Sequence, residues 1–147
     1  MLPPRQITPH TNTYSALAEV TRILPGLYLS SLSALQTSSL EITHVLSVLD
    51  FETELANFSG TRRVVHLSDG PKSDLLSHLD ECVQFVQDAR REGGMVVVHC
   101  LAGLSRSVCI VAACVMLELG IGVKDALEVV RQKRGVCKAT GGVGHEI

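Results

Sequence analysis

From Thr21 onward the chain alternates short apolar runs with longer segments whose apolar residues recur every three or four positions. Thr21–Leu24 and Leu27–Leu29 flank Pro25-Gly26 and read as two short strands around a turn. Residues 30–39 suit a short helix. THVLSVL at 43–49 and RRVVHL at 62–67 are rich in branched residues and predict two more strands. The period then changes. Leu75, Leu79, Cys82, Val86 and Ala89 share one face of a helix predicted over 74–91, with Ser73 or Asp74 as N-cap and Gly93-Gly94 as its end. The continuous apolar run at 95–98 predicts a central strand covered on both faces. An apolar helix is expected over 105–119. An amphipathic one is expected over 123–133, with Ala126, Val129 and Val130 facing inward. Residues 1–20 hold Pro3, Pro4 and Pro9 among Thr, Asn and Ser without an apolar period, and read as a flexible leader.

Strands that alternate with helices predict a three-layer α/β/α fold with a central, mostly parallel sheet. Ligands in such folds bind at the carboxyl ends of the strands, and the loop after Val98 lies at such an end.

The chain has 147 residues, 46% of them hydrophobic and 19% charged, which suits one domain with a buried core. With 13 basic and 15 acidic residues and no Trp, it lacks both the basic excess and the stacking residues of a nucleic-acid binder. Five cysteines without C-x-x-C spacing argue against a zinc site. Their odd number, and an N-terminus without a signal-peptide pattern, predict an intracellular setting, cytoplasm or nucleus. The apolar run at 108–117 is too short to span a bilayer, so no membrane insertion is expected.

Residues 99–107 read HCLAGLSRS. A cysteine ends a buried strand and a helix begins five or six residues later. That geometry wraps backbone N–H groups around one point at the positive end of a helix, where a tetrahedral anion fits. The same field favours the thiolate of an exposed Cys100, a nucleophile near neutral pH. Leu101, Ala102, Gly103, Leu104, Ser105 and Arg106 form the phosphate-binding loop, and Gly103 allows backbone angles that a side chain would forbid. Arg106 offers a charged planar fork for two phosphate oxygens. The Ser107 hydroxyl in the first helical turn can hydrogen-bond the thiolate. Taken singly, a cysteine at a strand end is usually a small buried hydrophobe and an arginine at a helix start is usually solvated. The joint spacing outweighs both readings.

The string contains Cys-x5-Arg-Ser and closely resembles the His-Cys-x-Ala-Gly-x-Ser-Arg-Ser form of the dual-specificity phosphatases, within the protein tyrosine phosphatase superfamily. The resemblance covers about residues 21–134, through ILPGLYLSS at 23–31, ITHVLSV at 42–48 and SDLLSHLDECVQFV at 73–86. It is strongest to the compact, atypical members that lack a kinase-docking domain. It implies hydrolysis of phosphotyrosine and phosphoserine/threonine through a phosphocysteine on Cys100, with no metal and no other cofactor. It also implies a general acid on a separate loop, and Asp69, 31 residues before Cys100, stands in that place. Asp74 is the rival acid, although its position before Leu75 and Leu76 suits a helix cap. The matching His99 supports the low thiol pKa without transferring a proton.

Phosphoprotein substrates are favoured over phosphoinositides, because Leu101, Ala102 and Leu104 bring no charge to the loop. A phosphatase-like binding module without turnover is the alternative of a different class. After Arg134, where the family continues into a further helix, this chain reads GVCKATGGVGHEI, a glycine-rich tail at 135–147 that is expected to leave apolar surface uncovered.

Overall fold

The computed structural model describes residues 19–56, 58–67, 74–102 and 105–134. Residues 1–18 of the leader, the tail with Cys137, and Asp69, Ser73, Gly103 and Leu104 lie outside the described residues. The elements run β1 (Thr21–Leu24), β2 (Leu27–Ser31), α1 (Leu32–Gln36), β3 (His44–Leu49), β4 (Thr61–His66), α2 (Leu75–Arg91), β5 (Val96–Cys100), α3 (Arg106–Leu119) and α4 (Val123–Arg134).

Each expected element is present, with shifted ends. The first helix is shorter than its expected span because β2 continues to Ser31, whose hydroxyl caps α1 by accepting from the Ala34 N–H at 3.1 Å. β5 runs on through His99 to Cys100, because parallel partners on both sides extend its pairing. Asp74 departs from its expected role. It occupies the N-cap position of α2, but its side chain makes no capping bond. Its backbone, at φ −95° and ψ 50°, is outside the extended region from which a cap side chain reaches the first-turn amides.

The sheet order is β1-β2-β5-β3-β4, with β1 antiparallel to β2 and the other pairs parallel. Gly26, at φ +79°, makes the β1–β2 turn. Alternate side chains divide the strands between two faces. Leu27, Leu29, Leu46, Val48, Val65, Val96 and Val98 form the main core with Cys82, Val86 and Ala89 of α2, the apolar face of α3, and Ala126, Leu127 and Val130 of α4. The opposite face is thinner. There Val45 and Val97 meet Leu35 of α1, with Val20, Tyr28, Ile42, Leu55 and Phe58 packed around them. Among the described residues the three layers are therefore unequal, with three helices on one face and one short helix on the other. β5 is buried along its whole length.

Two arginines tie the helices to the strands. Arg90 of α2 donates from Nε to the Pro25 carbonyl at 2.9 Å and pairs with Glu118 of α3. Arg134, buried at the end of α4, donates to the carbonyls of Glu19 and Leu29 and to the Thr21 hydroxyl. Cys109 is partly buried, Cys114 fully so, and both are free thiols, as their spacing on α3 implies. Among the described residues no single helix is long and apolar enough to cross a membrane.

Candidate active site

Because β2, β5, β3 and β4 are parallel, their carboxyl ends share one edge of the sheet. Cys100 is the last residue of β5 and points toward the helix-rich face, as Val96 and Val98 do. The loop that leaves it is anchored at once, since the Leu101 carbonyl accepts from the Leu32 N–H at 3.0 Å. The chain then enters α3, whose first residues are Arg106 and Ser107. Cys100 Sγ and Ser107 Oγ lie 3.2 Å apart. Cys100 is only 1% exposed, whereas the sequence suggested an exposed thiol. The sulfur is buried against the first turn of α3, while Leu101 is 53% exposed and Ala102 is also exposed.

Arg106 is not solvated. It is 5% exposed, and its Nη1 donates to the Leu67 carbonyl at 2.6 Å. Leu67 follows β4 and immediately precedes the stretch that contains Asp69, so the guanidinium is tied to the base of that stretch. Ser105 closes the helix start through its carbonyl, which accepts from the Cys109 N–H at 3.1 Å.

His99 is fully buried. Its Nε2 meets Ser47 Oγ at 2.6 Å, and its Nδ1 lies 3.2 Å from the carbonyl oxygen of Cys100. Burial pushes its pKa down to about 4. The bond to the Cys100 carbonyl opposes that shift, and the guanidinium charges of Arg62 and Arg106 add to it. The ring is therefore neutral near pH 7 and can orient the backbone without carrying charge. The other buried thiols are driven away from ionisation. Cys82 is pushed up to about 11 and Cys114 to about 12, both chiefly by desolvation.

The structure thus brings together His99, Cys100, Leu101, Ala102, Ser105, Arg106 and Ser107. Asp69, Gly103 and Leu104 lie outside the described residues. Two contributors were not read from the sequence, the Leu67 carbonyl and Ser47. Ser47 had a signal, as the one hydroxyl in the apolar run VLSVL. Among the described residues no three His, Cys, Asp or Glu side chains converge on a point that could hold a metal ion. A strand-end cysteine, a helix-start arginine and a serine against the sulfur are the groups that the sequence reading required for a tetrahedral-anion site.

The family model for "Dual specificity phosphatase, catalytic domain" matches residues 27–144. The chain belongs to the dual specificity phosphatase family. The family assignment extends past Arg134 into the glycine-rich tail. Dual specificity protein phosphatase 1 of Arabidopsis thaliana is 37% identical over 121 residues, which cover 80% of this chain and 61% of that protein. The chain spans 30% to 61% of the length of several curated relatives that it matches. Among solved structures, DUSP15 superposes with a TM-score of 0.77 at 32% identity, covering 85% of this chain and 82% of the other. The human tyrosine phosphatase-like serine/threonine/tyrosine-interacting protein superposes with the same TM-score at 26% identity, covering 88% and 93%. The sheet order and unequal layers described above are thus those of a dual specificity phosphatase domain.

Proposed function

We propose that this chain is a protein phosphatase that hydrolyses phosphotyrosine and phosphoserine/phosphothreonine through a phosphocysteine on Cys100. The observation that carries the reading is the placement of Cys100 Sγ 3.2 Å from Ser107 Oγ, at the start of a 14-residue helix whose first residue is the buried Arg106.

In the first step the Cys100 thiolate attacks phosphorus in line with the ester oxygen. The S–P bond forms, the P–O bond breaks, and Asp69 gives its proton to the departing oxygen. Arg106 and the loop amides hold the equatorial oxygens as charge develops on them. In the second step water attacks phosphorus, Asp69 takes a proton from it, and the thiolate departs with the Ser107 hydroxyl donating to it. Inorganic phosphate is released and the enzyme is regenerated.

Leu101, Ala102 and Leu104 add no charge at the mouth, which supports a phosphoprotein substrate over a polyphosphorylated lipid headgroup. A nucleophilic thiol needs a reducing compartment, which supports intracellular residence; Cys82, Cys109 and Cys114 are free thiols. A second reading is a phosphate-binding module without turnover, which the name of the tyrosine phosphatase-like interacting protein brings to mind. The presence of Cys100, Arg106, Ser107 and Asp69 together favours the enzyme.

The test is turnover of an aryl phosphate and of phosphotyrosyl, phosphoseryl and phosphoinositide substrates, with and without EDTA. Hydrolysis of both phosphopeptides that survives EDTA and is blocked by vanadate is the expected result. Release of phosphate from the phosphoinositide alone would move the reading to a lipid phosphatase. No release from any substrate, with vanadate still bound, would move it to the binding module.

A further inference from the structure

Arg62 near the amino end of β4, Ser47 in the middle of β3 and His99 near the carboxyl end of β5 lie on the thin face of the sheet. Ser47 of β3 pairs in register with His99 of β5, and Arg62 of β4 lies diagonally across from Ser47. Arg62 donates from Nε to Ser47 Oγ at 2.9 Å and from Nη1 to the Thr53 carbonyl at 2.8 Å. Ser47 Oγ meets His99 Nε2 at 2.6 Å, and His99 Nδ1 faces the Cys100 carbonyl at 3.2 Å. Ser47 and His99 are both fully buried.

The chemistry of the partners assigns the hydrogens. A carbonyl only accepts, so Nδ1 must carry the ring hydrogen. The ring is neutral, so Nε2 is bare and must accept. A guanidinium only donates, so the Ser47 oxygen accepts from Arg62 and the Ser47 hydrogen points to Nε2. If Nε2 carried the hydrogen instead, the buried Ser47 hydroxyl would have no acceptor among these partners, and a ring lone pair would face the carbonyl oxygen. Each bond then runs in one direction, from Arg62 to Ser47 to His99 to the Cys100 carbonyl, and each polarises the next.

Among the described residues, the neighbouring Ser30 hydroxyl is already committed elsewhere. Ser30, opposite His99 on β2, gives its hydroxyl to the Ser31 carbonyl at 2.7 Å. The charged groups acting on His99 are Arg62 from β4 and Arg106 from α3, and its titratable neighbour on β5 is Cys100. Glu52, after β3, acts on Arg62.

We propose that Arg62 is a positioning residue for the phosphatase site: acting through Ser47, it holds His99 in the Nδ1–H tautomer, whose bond to the Cys100 carbonyl fixes the backbone from which the nucleophile projects. The proposal rests on Cys100 being the nucleophile. No part of the active-site loop signature marks Arg62, which lies 38 residues before Cys100. Removal of Arg62 takes away the donor that orients and polarises the Ser47 hydroxyl, which weakens its bond to Nε2 and with it the preference for the Nδ1–H tautomer and the bond to the Cys100 carbonyl.

The test combines nitrogen NMR of ¹⁵N-histidine-labelled protein with the pH midpoint of iodoacetamide alkylation at Cys100. Wild-type His99 is expected in the Nδ1–H form, an observation that needs no variant. Arg62→Met and Ser47→Ala are each expected to lose that predominance, to raise the alkylation midpoint, and to lower kcat about tenfold with KM little changed, as expected for misplacement of a reacting group. The double variant should be no worse than either single one, because both cut the same chain. An Nε2–H tautomer in the wild type overturns the proposal. So does an Arg62→Met protein with wild-type tautomer and midpoint, or additive effects in the double variant, which would mark Arg62 as a distant charge only. Failure of the phosphatase reading would appear separately, as no phosphate release by the wild type, and failure of Cys100 as nucleophile as full turnover in Cys100→Ser; neither would touch the tautomer measurement.

Discussion

Cys100 Sγ and Ser107 Oγ face each other at 3.2 Å across the loop that joins β5 to α3. The serine oxygen is fully buried and sits in the first turn of the helix, so its hydroxyl is placed to donate to a sulfur that carries negative charge. The sulfur regains that charge when it leaves phosphorus, so the contact matters most in the second step. Ser107→Ala should slow phosphocysteine hydrolysis more than its formation. Rapid-quench kinetics with an activated aryl phosphate should then show a burst of phenol followed by a slower steady state. A mutant with wild-type steady-state rate and no burst would remove Ser107 from the mechanism.

His99 gives a stability prediction whose sign follows from its depressed pKa. The unfolded chain binds the ring proton near the ordinary value of 6.5, the folded chain only near about 4. Between these values the unfolded state holds more protons, so stability falls as pH is lowered through the window and levels off beneath it. The shift corresponds to on the order of 3 kcal/mol. Denaturant melts from pH 7 to pH 4 should show this loss in the wild type. A His99→Asn variant should be less stable at pH 7 and lose distinctly less on acidification. Equal pH dependence in the two proteins would show that His99 is charged, or exposed, in the folded state.

The cysteines should differ in reactivity despite their similar burial. Desolvation holds Cys82 up to about 11 and Cys114 up to about 12, with no helix N-terminus beside them. Cys100 is also buried, but it faces Ser107 in the first turn of α3. Limited iodoacetamide near pH 7, followed by peptide mass mapping, should modify Cys100 well before Cys82 or Cys114, and vanadate should protect it. Labelling of Cys82 or Cys114 at a matching rate would contradict the assignment.

The chemistry and the sheet were legible in the sequence to different depths. HCLAGLSRS identified the loop because strand, cysteine, arginine and serine must recur at fixed spacing to enclose an anion. The apolar run at 95–98 marked the central strand because both its faces are covered. The supporting contacts were hidden for a physical reason. Ser47 reaches His99, and the Leu67 carbonyl reaches Arg106, only after strands distant in sequence are set side by side; in addition, a backbone carbonyl carries no sequence signal. The burial of Cys100 was misjudged because a nucleophile suggests an exposed group, whereas the side chain is buried beside Ser107, and Leu101 and Ala102 are the exposed residues among those described after it. The cap assigned to Asp74 failed because residue type and position suit a cap, while the local backbone angles do not.

Asp69 and Asp74 are separated by leaving-group chemistry. A general acid matters in proportion to the leaving oxygen's need for a proton. Asp69→Asn should depress kcat strongly on phenyl phosphate and much less on an aryl phosphate whose phenolate leaves unaided. It should also abolish the fall in rate on the basic side of the pH profile. Asp74→Ala removes no capping bond, so it should change stability by less than about 0.5 kcal/mol. Its leaving-group dependence should match wild type. If the two variants exchange these behaviours, Asp74 is the acid.

The most direct test of the account is the turnover of a phosphotyrosyl peptide by Cys100→Ser beside wild type, with binding of the same peptide measured by calorimetry. Serine keeps the shape of the side chain, but its hydroxyl stays protonated at neutral pH. The account predicts that turnover falls by far more than about a hundredfold, while the peptide still binds with an affinity close to the wild-type KM. Turnover above about a hundredth of the wild-type rate would contradict a phosphocysteine on Cys100, since loss of an essential covalent nucleophile costs far more than that.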